Sequence, residues 1–98
     1  LMLPFLKKLR CKTLVKIKTN LLTKTEKTVK HGYHIDYNNT KTAIFYMLTT
    51  NGKTYFKDTD PVDCKENRIV IFDSKLYHSS STSTDTNKRI VINFNYHE

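Results

Sequence analysis

His34-Ile35-Asp36, the run Arg68-Ile-Val-Ile-Phe-Asp-Ser-Lys-Leu-Tyr-His78 and the run Arg89-Ile-Val-Ile-Asn-Phe-Asn-Tyr96 decide how this chain folds. Along an extended strand, alternation puts His34 and Asp36 on one face. That pair closes one extended segment, His78 ends a second and Arg89 opens a third. A rolled antiparallel sheet needs them in that order.

The sequence around these runs also favours strands. Glycine and proline occur twice each among 98 residues, while β-branched and aromatic residues abound, and no helix of convincing length is legible. A first strand spans 13–22, with Val15, Ile17 and Thr19 facing one way and Lys16, Lys18 and Asn20 the other, the period of a half-buried strand. A second spans 27–36 and ends at the His-Asp pair. Asn38-Asn-Thr-Lys41 reads as a turn, and 42–48 is a nearly continuous apolar strand. Asn51-Gly52 is a hairpin signal that predicts pairing of 42–48 with 53–56.

A loop at 58–61 follows, then a short strand at 62–65, a turn at Glu66-Asn67, and strands at 68–72 and 76–78. Residues 79–86 form a Ser/Thr-rich loop, polar enough to be mobile, before the last strand at 89–96. The fold class is therefore all-β, with about eight strands in a jelly roll or sandwich. A strand that carries Arg89 and Asn93 inward turns Ile90, Ile92 and Phe94 outward, and such an apolar face needs a cover. Only residues 1–10 precede the strands, enough for about two helical turns after Pro4. Little or no N-terminal helix is thus expected, and the face calls for an upstream extension or a second copy of the chain.

Size and charge bound the function. The length allows one domain, 1–98, with its core at about 13–96, near the lower limit for a self-sufficient interior. A net charge of +8 and a pI near 9.6 favour anionic partners: nucleic acid, an acidic protein or a small dicarboxylate. Most of the excess precedes His31, in Lys7, Lys8, Arg10, Lys12, Lys16, Lys18, Lys24, Lys27 and Lys30. A binding face and a solvated edge that discourages aggregation both fit. Cys11 and Cys64 form no Cys-x-x-Cys spacing, which points to a reducing, cytoplasmic setting. Leu1-Met-Leu-Pro-Phe-Leu6 is too short for a signal sequence or a membrane span. The lack of Met at position 1 leads us to expect an upstream segment.

Two imidazoles and one carboxylate, from His34, His78 and Asp36, make a three-ligand metal set that leaves three coordination positions open, the facial arrangement of non-haem iron(II) centres. Arg89 adds a planar guanidinium able to hold a carboxylate through two parallel hydrogen bonds.

Through His34-Ile-Asp36-Tyr, Ile44-Phe-Tyr-Met-Leu48, Asn51-Gly-Lys-Thr-Tyr-Phe56, Asn67-Arg-Ile-Val-Ile-Phe-Asp-Ser74, His78 and Arg89-Ile-Val-Ile-Asn-Phe94, the chain resembles the prolyl-4-hydroxylase-like branch of the iron(II)/2-oxoglutarate dioxygenases. The resemblance covers 13–96. It implies a double-stranded β-helix, a jelly roll with iron at one mouth. It also implies that His34, Asp36 and His78 bind iron, and that Arg89 and Tyr46 hold the far carboxylate of 2-oxoglutarate. The activity implied is C–H hydroxylation with release of succinate and CO2, with O2 as oxidant and ascorbate as the reductant that keeps iron ferrous. Many relatives carry Ser or Thr two residues after the arginine, where this chain has Val91. One hydrogen bond to the cosubstrate is thereby lost.

Blander readings stand beside these. His34 with Asp36 also fits a surface ion pair, His78 a strand-end surface histidine, and Tyr46 a plain core aromatic. Arg68 is the better candidate for an exposed edge arginine. Asn93, on the Arg89 face, reads as a neighbour of Asp36, whereas His31 and His97 read as surface residues. Tyr33, Tyr37, Phe45, Tyr55, Phe72, Phe94 and Tyr96 are expected mostly in the core, since no RNA-recognition motif accompanies them. Two rival functions remain: a non-catalytic basic β-domain binding nucleic acid, and a cupin-like metal protein. The substrate, a prolyl peptide or another molecule, is set by loops that the motifs do not specify.

Overall fold

Residues 12–36, 39–57 and 59–98, described by a computed structural model, form strands and no helix. The strands are β1 (Thr13–Thr23), β2 (Lys41–Tyr46), β3 (Lys53–Phe56), β4 (Val62–Asp63), β5 (Ile69–Asp73), β6 (His78–Ser80) and β7 (Lys88–His97). They make a four-stranded sheet in the order β1-β7-β2-β5 and a three-stranded sheet in the order β4-β3-β6. All pairings are antiparallel, and the two sheets form a jelly roll.

The expected eighth strand, 27–36, is extended but makes only isolated bridges, Lys30 with Ser81 and His34 with His78. It runs along the free side of β6, bonded through His31 N to Ser80 O at 2.9 Å and through Thr82 N to Val29 O at 3.0 Å.

Alternation along β7 builds both sides of the large sheet. Val91 points inward with Ile44 and Tyr46 of β2, and meets Phe56, Cys64 and Phe72 in an interior cluster. Phe56 of β3 and Phe72 of β5 pack edge to face, with centroids 5.0 Å apart, and so tie one sheet to the other. Cys64 is a buried free thiol in this cluster.

The alternate residues Ile92, Phe94 and Tyr96 form a second cluster with Ala43, Phe45 and Ile69 on the outer face. That face is not left bare, as the sequence led us to expect: Phe94 and Tyr96 are fully buried and Ile92 nearly so within the single chain. Exposed apolar residues lie instead on the flanking strands, at Ile17 and Leu21 of β1 and Ile71 of β5. The helical turns considered for residues 1–10 lie outside the described residues, as do Cys11 and Tyr37.

Three further expectations are corrected. Residues 42–48 and 53–56 do not pair: β2 lies between β7 and β5, while β3 lies between β4 and β6. A two-residue hairpin of the favoured type needs positive φ, and neither Asn51 nor Gly52 adopts it. The Asn51 side chain instead clasps Thr84, donating to Oγ1 at 2.6 Å and accepting from the backbone N at 2.9 Å, as the segment crosses between sheets.

The Ser/Thr run at 79–86 is not a mobile loop over its first half. Ser79, Ser81, Thr82 and Ser83 are buried, and Thr82 Oγ1 bonds Thr25 Oγ1 at 2.6 Å and accepts from Val29 N at 2.9 Å. Hydroxyls are buried cheaply when they find partners, as Ser81, Thr82 and Ser83 do, whereas Ser79 Oγ has none among the described residues. Tyr33 and Tyr55 are only half-buried, and Lys30 Nζ sits over both rings, 4.6 and 4.4 Å from their centroids. His31 and His97 are exposed, as is Arg68.

Burial of the outer cluster has a direct test. Phe94→Ala should cost about 3–5 kcal/mol of unfolding free energy, the range for a large aromatic lost from a packed core. A residue on an open face would cost less than about 0.5 kcal/mol. Urea denaturation of the two proteins, read as a fall in midpoint at constant slope, separates the two outcomes.

Candidate metal centre

His34 and His78 face one another across two backbone hydrogen bonds, His34 N to His78 O at 2.9 Å and His78 N to His34 O at 3.0 Å. Directly opposed residues of an antiparallel pair project to the same side. Their imidazoles accordingly lie with centroids 4.4 Å apart. Two residues beyond His34, Asp36 returns to that side, held through its backbone N to Ser74 O at 2.8 Å. Its Oδ1 lies 3.7 Å from His34 Nε2 and its Oδ2 lies 3.5 Å from His78 Nε2. One candidate ligand atom from each of the three residues falls within 4.8 Å of the others. A single cation fits among three donors so placed after small adjustments of the side chains.

The surroundings prepare these groups for ligation. His78 Nδ1 lies 2.8 Å from Leu76 O, and a carbonyl can only accept, so the ring proton sits on Nδ1 and the Nε2 lone pair faces Asp36. Burial against Phe72, whose ring lies edge to face at 4.7 Å, pushes the His78 pKa down and favours the neutral imidazole that a metal requires. Asp36 Oδ2 accepts from Thr42 Oγ1 at 2.8 Å and from Asn95 Nδ2 at 3.3 Å, and Asn95 also donates to Thr42 Oγ1 at 2.9 Å. Carboxylate orientation is thus fixed from behind, by β2 and β7. His34, with 58% of its side chain exposed, forms the open side.

Asn95 and Thr42, rather than Asn93, support the carboxylate. Both could have been found by period two, since Asn95 continues the Arg89 and Asn93 face and Thr42 shares the Tyr46 face.

Arg89 lies deeper. A cavity of about 200 Å³ is lined by His34, His78, Thr54, Ser79, Arg89, Val91 and Asn93, among others. The Arg89 side chain is 1% exposed, and none of its three guanidinium nitrogens has a hydrogen-bond partner among the described residues. Its Cζ lies 5.8 Å from the centroid of the Tyr46 ring. Gly52 makes the room, because a Cβ there would fall 2.6 Å from Arg89 Cδ and 2.7 Å from Nε. Tyr46 itself is fully buried, and its hydroxyl bonds Thr54 Oγ1 at 2.6 Å, so that Thr54 stands between the phenol and the cavity. Burial raises the Tyr46 pKa and keeps the phenol protonated.

No protein-family model and no curated protein sequence matches this chain. Solved structures do. A cupin protein from Bacteroides fragilis superposes with a TM-score of 0.63 at 10% identity, over 94% of this chain and 72% of that one. An RmlC-like cupin protein from Desulfovibrio desulfuricans gives 0.53 at 8% identity, over 81% of each chain. An HTH_3 family transcriptional regulator from Vibrio cholerae gives 0.59 at 16% identity over 84% of this chain, which spans 42% of the regulator's length. The fold is a cupin-type jelly roll. At these identities the likeness is one of fold alone. Among the described residues, no helix is long and apolar enough to cross a membrane.

Two variants test the centre. Asp36→Ala, which removes the one anionic donor, should abolish binding of Mn2+ in titration calorimetry. Thr42→Val, which removes the shorter of the two hydrogen bonds to the carboxylate, should weaken it about 10-fold or more. Near-normal affinity in Asp36→Ala would contradict the assignment.

Proposed function

We propose that this protein is an iron(II)- and 2-oxoglutarate-dependent dioxygenase acting on a C–H bond of a protein or peptide, prolyl or otherwise. The observation that carries the reading is the buried, unpaired Arg89 guanidinium in the cavity that also holds His34 and His78. Burying a cation without an anion costs several kcal/mol, and the Tyr46 ring at 5.8 Å returns about 1–2 kcal/mol at most. Such a charge is accounted for by a carboxylate ligand that arrives from outside.

His34, Asp36 and His78 would hold the iron, and Arg89 the distal carboxylate of the 2-oxo acid. With iron(II), 2-oxoglutarate and O2 bound, such a centre converts the oxo acid to succinate and CO2 and places the second oxygen atom in the substrate C–H bond, giving an alcohol. The chain's own residues orient and shield. Arg89 offers a planar fork, so the distal carboxylate is held in the plane of the guanidinium. Val91 lines the cavity and donates no hydrogen bond, whereas Thr54 does so once Tyr46 donates to its oxygen and leaves the Thr54 proton for the cavity. Tyr46 is then a positioning residue behind Thr54. Phe56 and Phe72 wall the inner histidine from water. Ascorbate would keep the iron ferrous between turnovers.

The cupin likeness supports a second reading, a metal protein that uses the same three ligands without a 2-oxo acid. It supplies no partner for Arg89. The arginine therefore provides the discriminating experiment. Arg89→Lys should raise the 2-oxoglutarate concentration needed for half-maximal succinate formation about tenfold or more, because an ammonium cannot reproduce the two-pronged contact. Gly52→Ala, which pushes Arg89 aside, should act in the same direction, and both variants should keep wild-type affinity for Mn2+. Weakened metal binding with unchanged cosubstrate dependence would reject the reading, and wild-type protein that forms no succinate from 2-oxoglutarate and iron would leave the second one standing.

A further inference from the structure

Two cavities meet at the metal ligands. The inner one contains Arg89, and an outer one of about 340 Å³ is lined by Lys16, Lys18, Asn20, His34, Asp36, Asn93 and Asn95. Asn20, His34 and Asn93 belong to the walls of both. Lys16 is register partner to Asn95 and Lys18 to Asn93, after an irregularity between Leu14 and Lys16. Partners across a ladder share a face, so both lysines stand on the side of β1 that carries Asn93 and Asn95, solvent-exposed at the mouth of the groove.

Neither lysine is paired with a carboxylate among the described ion pairs. The acid that lines the groove, Asp36, is already engaged by Thr42 and Asn95. Two like charges on consecutive same-face positions, about 7 Å apart along a strand, repel one another and attract an anion. Beside them Asn93 Oδ1 is buried and receives no hydrogen bond among the described residues. That oxygen lacks a donor.

We propose that the outer cavity is the substrate groove of the oxygenase read above, and that it takes an acidic polypeptide segment. Its carboxylates meet Lys16 and Lys18, and a backbone amide meets Asn93. The proposal rests on the oxygenase reading for the fate of the bound segment, and on the groove alone for its chemistry. A peptide supplies both the carboxylates and the N–H that Asn93 needs. A DNA phosphodiester chain satisfies the lysines but brings no donor from its backbone, so single-stranded DNA accounts for half of the groove.

The test uses the 98-residue chain and fluorescence anisotropy with three labelled probes: a peptide of alternating Glu and Ala, its counterpart of alternating Gln and Ala, and a single-stranded thymidine oligonucleotide. The Glu/Ala peptide should bind about tenfold more tightly than the Gln/Ala peptide at low salt, and Lys16→Gln with Lys18→Gln should abolish that preference. The same change at Lys24 and Lys27, exposed and outside the groove, should preserve it. Asn93→Ala should weaken both peptides alike, since it removes a contact to the backbone. Equal affinity for the two peptides, tighter binding of the oligonucleotide, or equal sensitivity to the two lysine pairs would overturn the proposal. Mn2+ calorimetry on the same samples separates the failures. Acid preference without metal binding sinks the oxygenase reading and keeps the groove, whereas metal binding without acid preference sinks the groove alone.

Discussion

One strand buried on both faces governs this structure. β7 pairs with β1 on one side and with β2 on the other, and its alternate residues are divided between two unlike environments. Its outward set, Ile92, Phe94 and Tyr96, is apolar and closes an outer cluster. Its inward set, Arg89, Val91, Asn93 and Asn95, is mostly polar and faces the cavities and Asp36. A slip of one residue would bury the asparagines among Ala43, Phe45 and Ile69 and turn Phe94 into the cavity. The register is therefore doubly specified. The apolar face supplies the stability that lets the polar face hold an unpaired guanidinium.

The site is an assembly of elements from both sheets. His78 belongs to β6 of the smaller sheet and His34 to the segment beside it, while Thr42 and Asn95, which orient Asp36, come from the larger. Arg89 approaches from the larger sheet through the gap left by Gly52. Closing the roll brings these groups together. The Phe56–Phe72 contact between the sheets sits directly behind the His78 ring, so core packing and ligand placement are the same event.

Much of this was legible because period two is local. His34 with Asp36, and Arg89 with Asn93, sit on common faces by counting alone, and the termini of β1, β5 and β7 fall within about two residues of those expected. Pairing partners were less legible. Asn51-Gly52 looks like a hairpin turn in isolation, but Asn51 finds Thr84 far along the chain and the backbone takes another path. Composition also misled at 79–86, where polarity suggested exposure. Ser81 and Ser83 are fully buried because hydroxyls can be satisfied within a packed seam. The outer cluster likewise escaped notice, since alternation shows which face a residue takes and not what lies over it.

The two-sided backbone link between His34 and His78 bears on how the protein holds itself together. The segment 27–36 carries two of the three candidate ligands, yet it is fastened to the sheet by isolated bridges, not by a continuous ladder. A cation shared by His34, Asp36 and His78 would act there as a clasp across the free side of β6. Metal occupancy and closure of that edge are then one equilibrium, in which each favours the other by the same free energy. Stripping the ion would loosen this border first while β7 and its neighbours stay folded. The same border walls both cavities, so a cell short of metal would hold a protein whose groove had lost its rim before it lost its core.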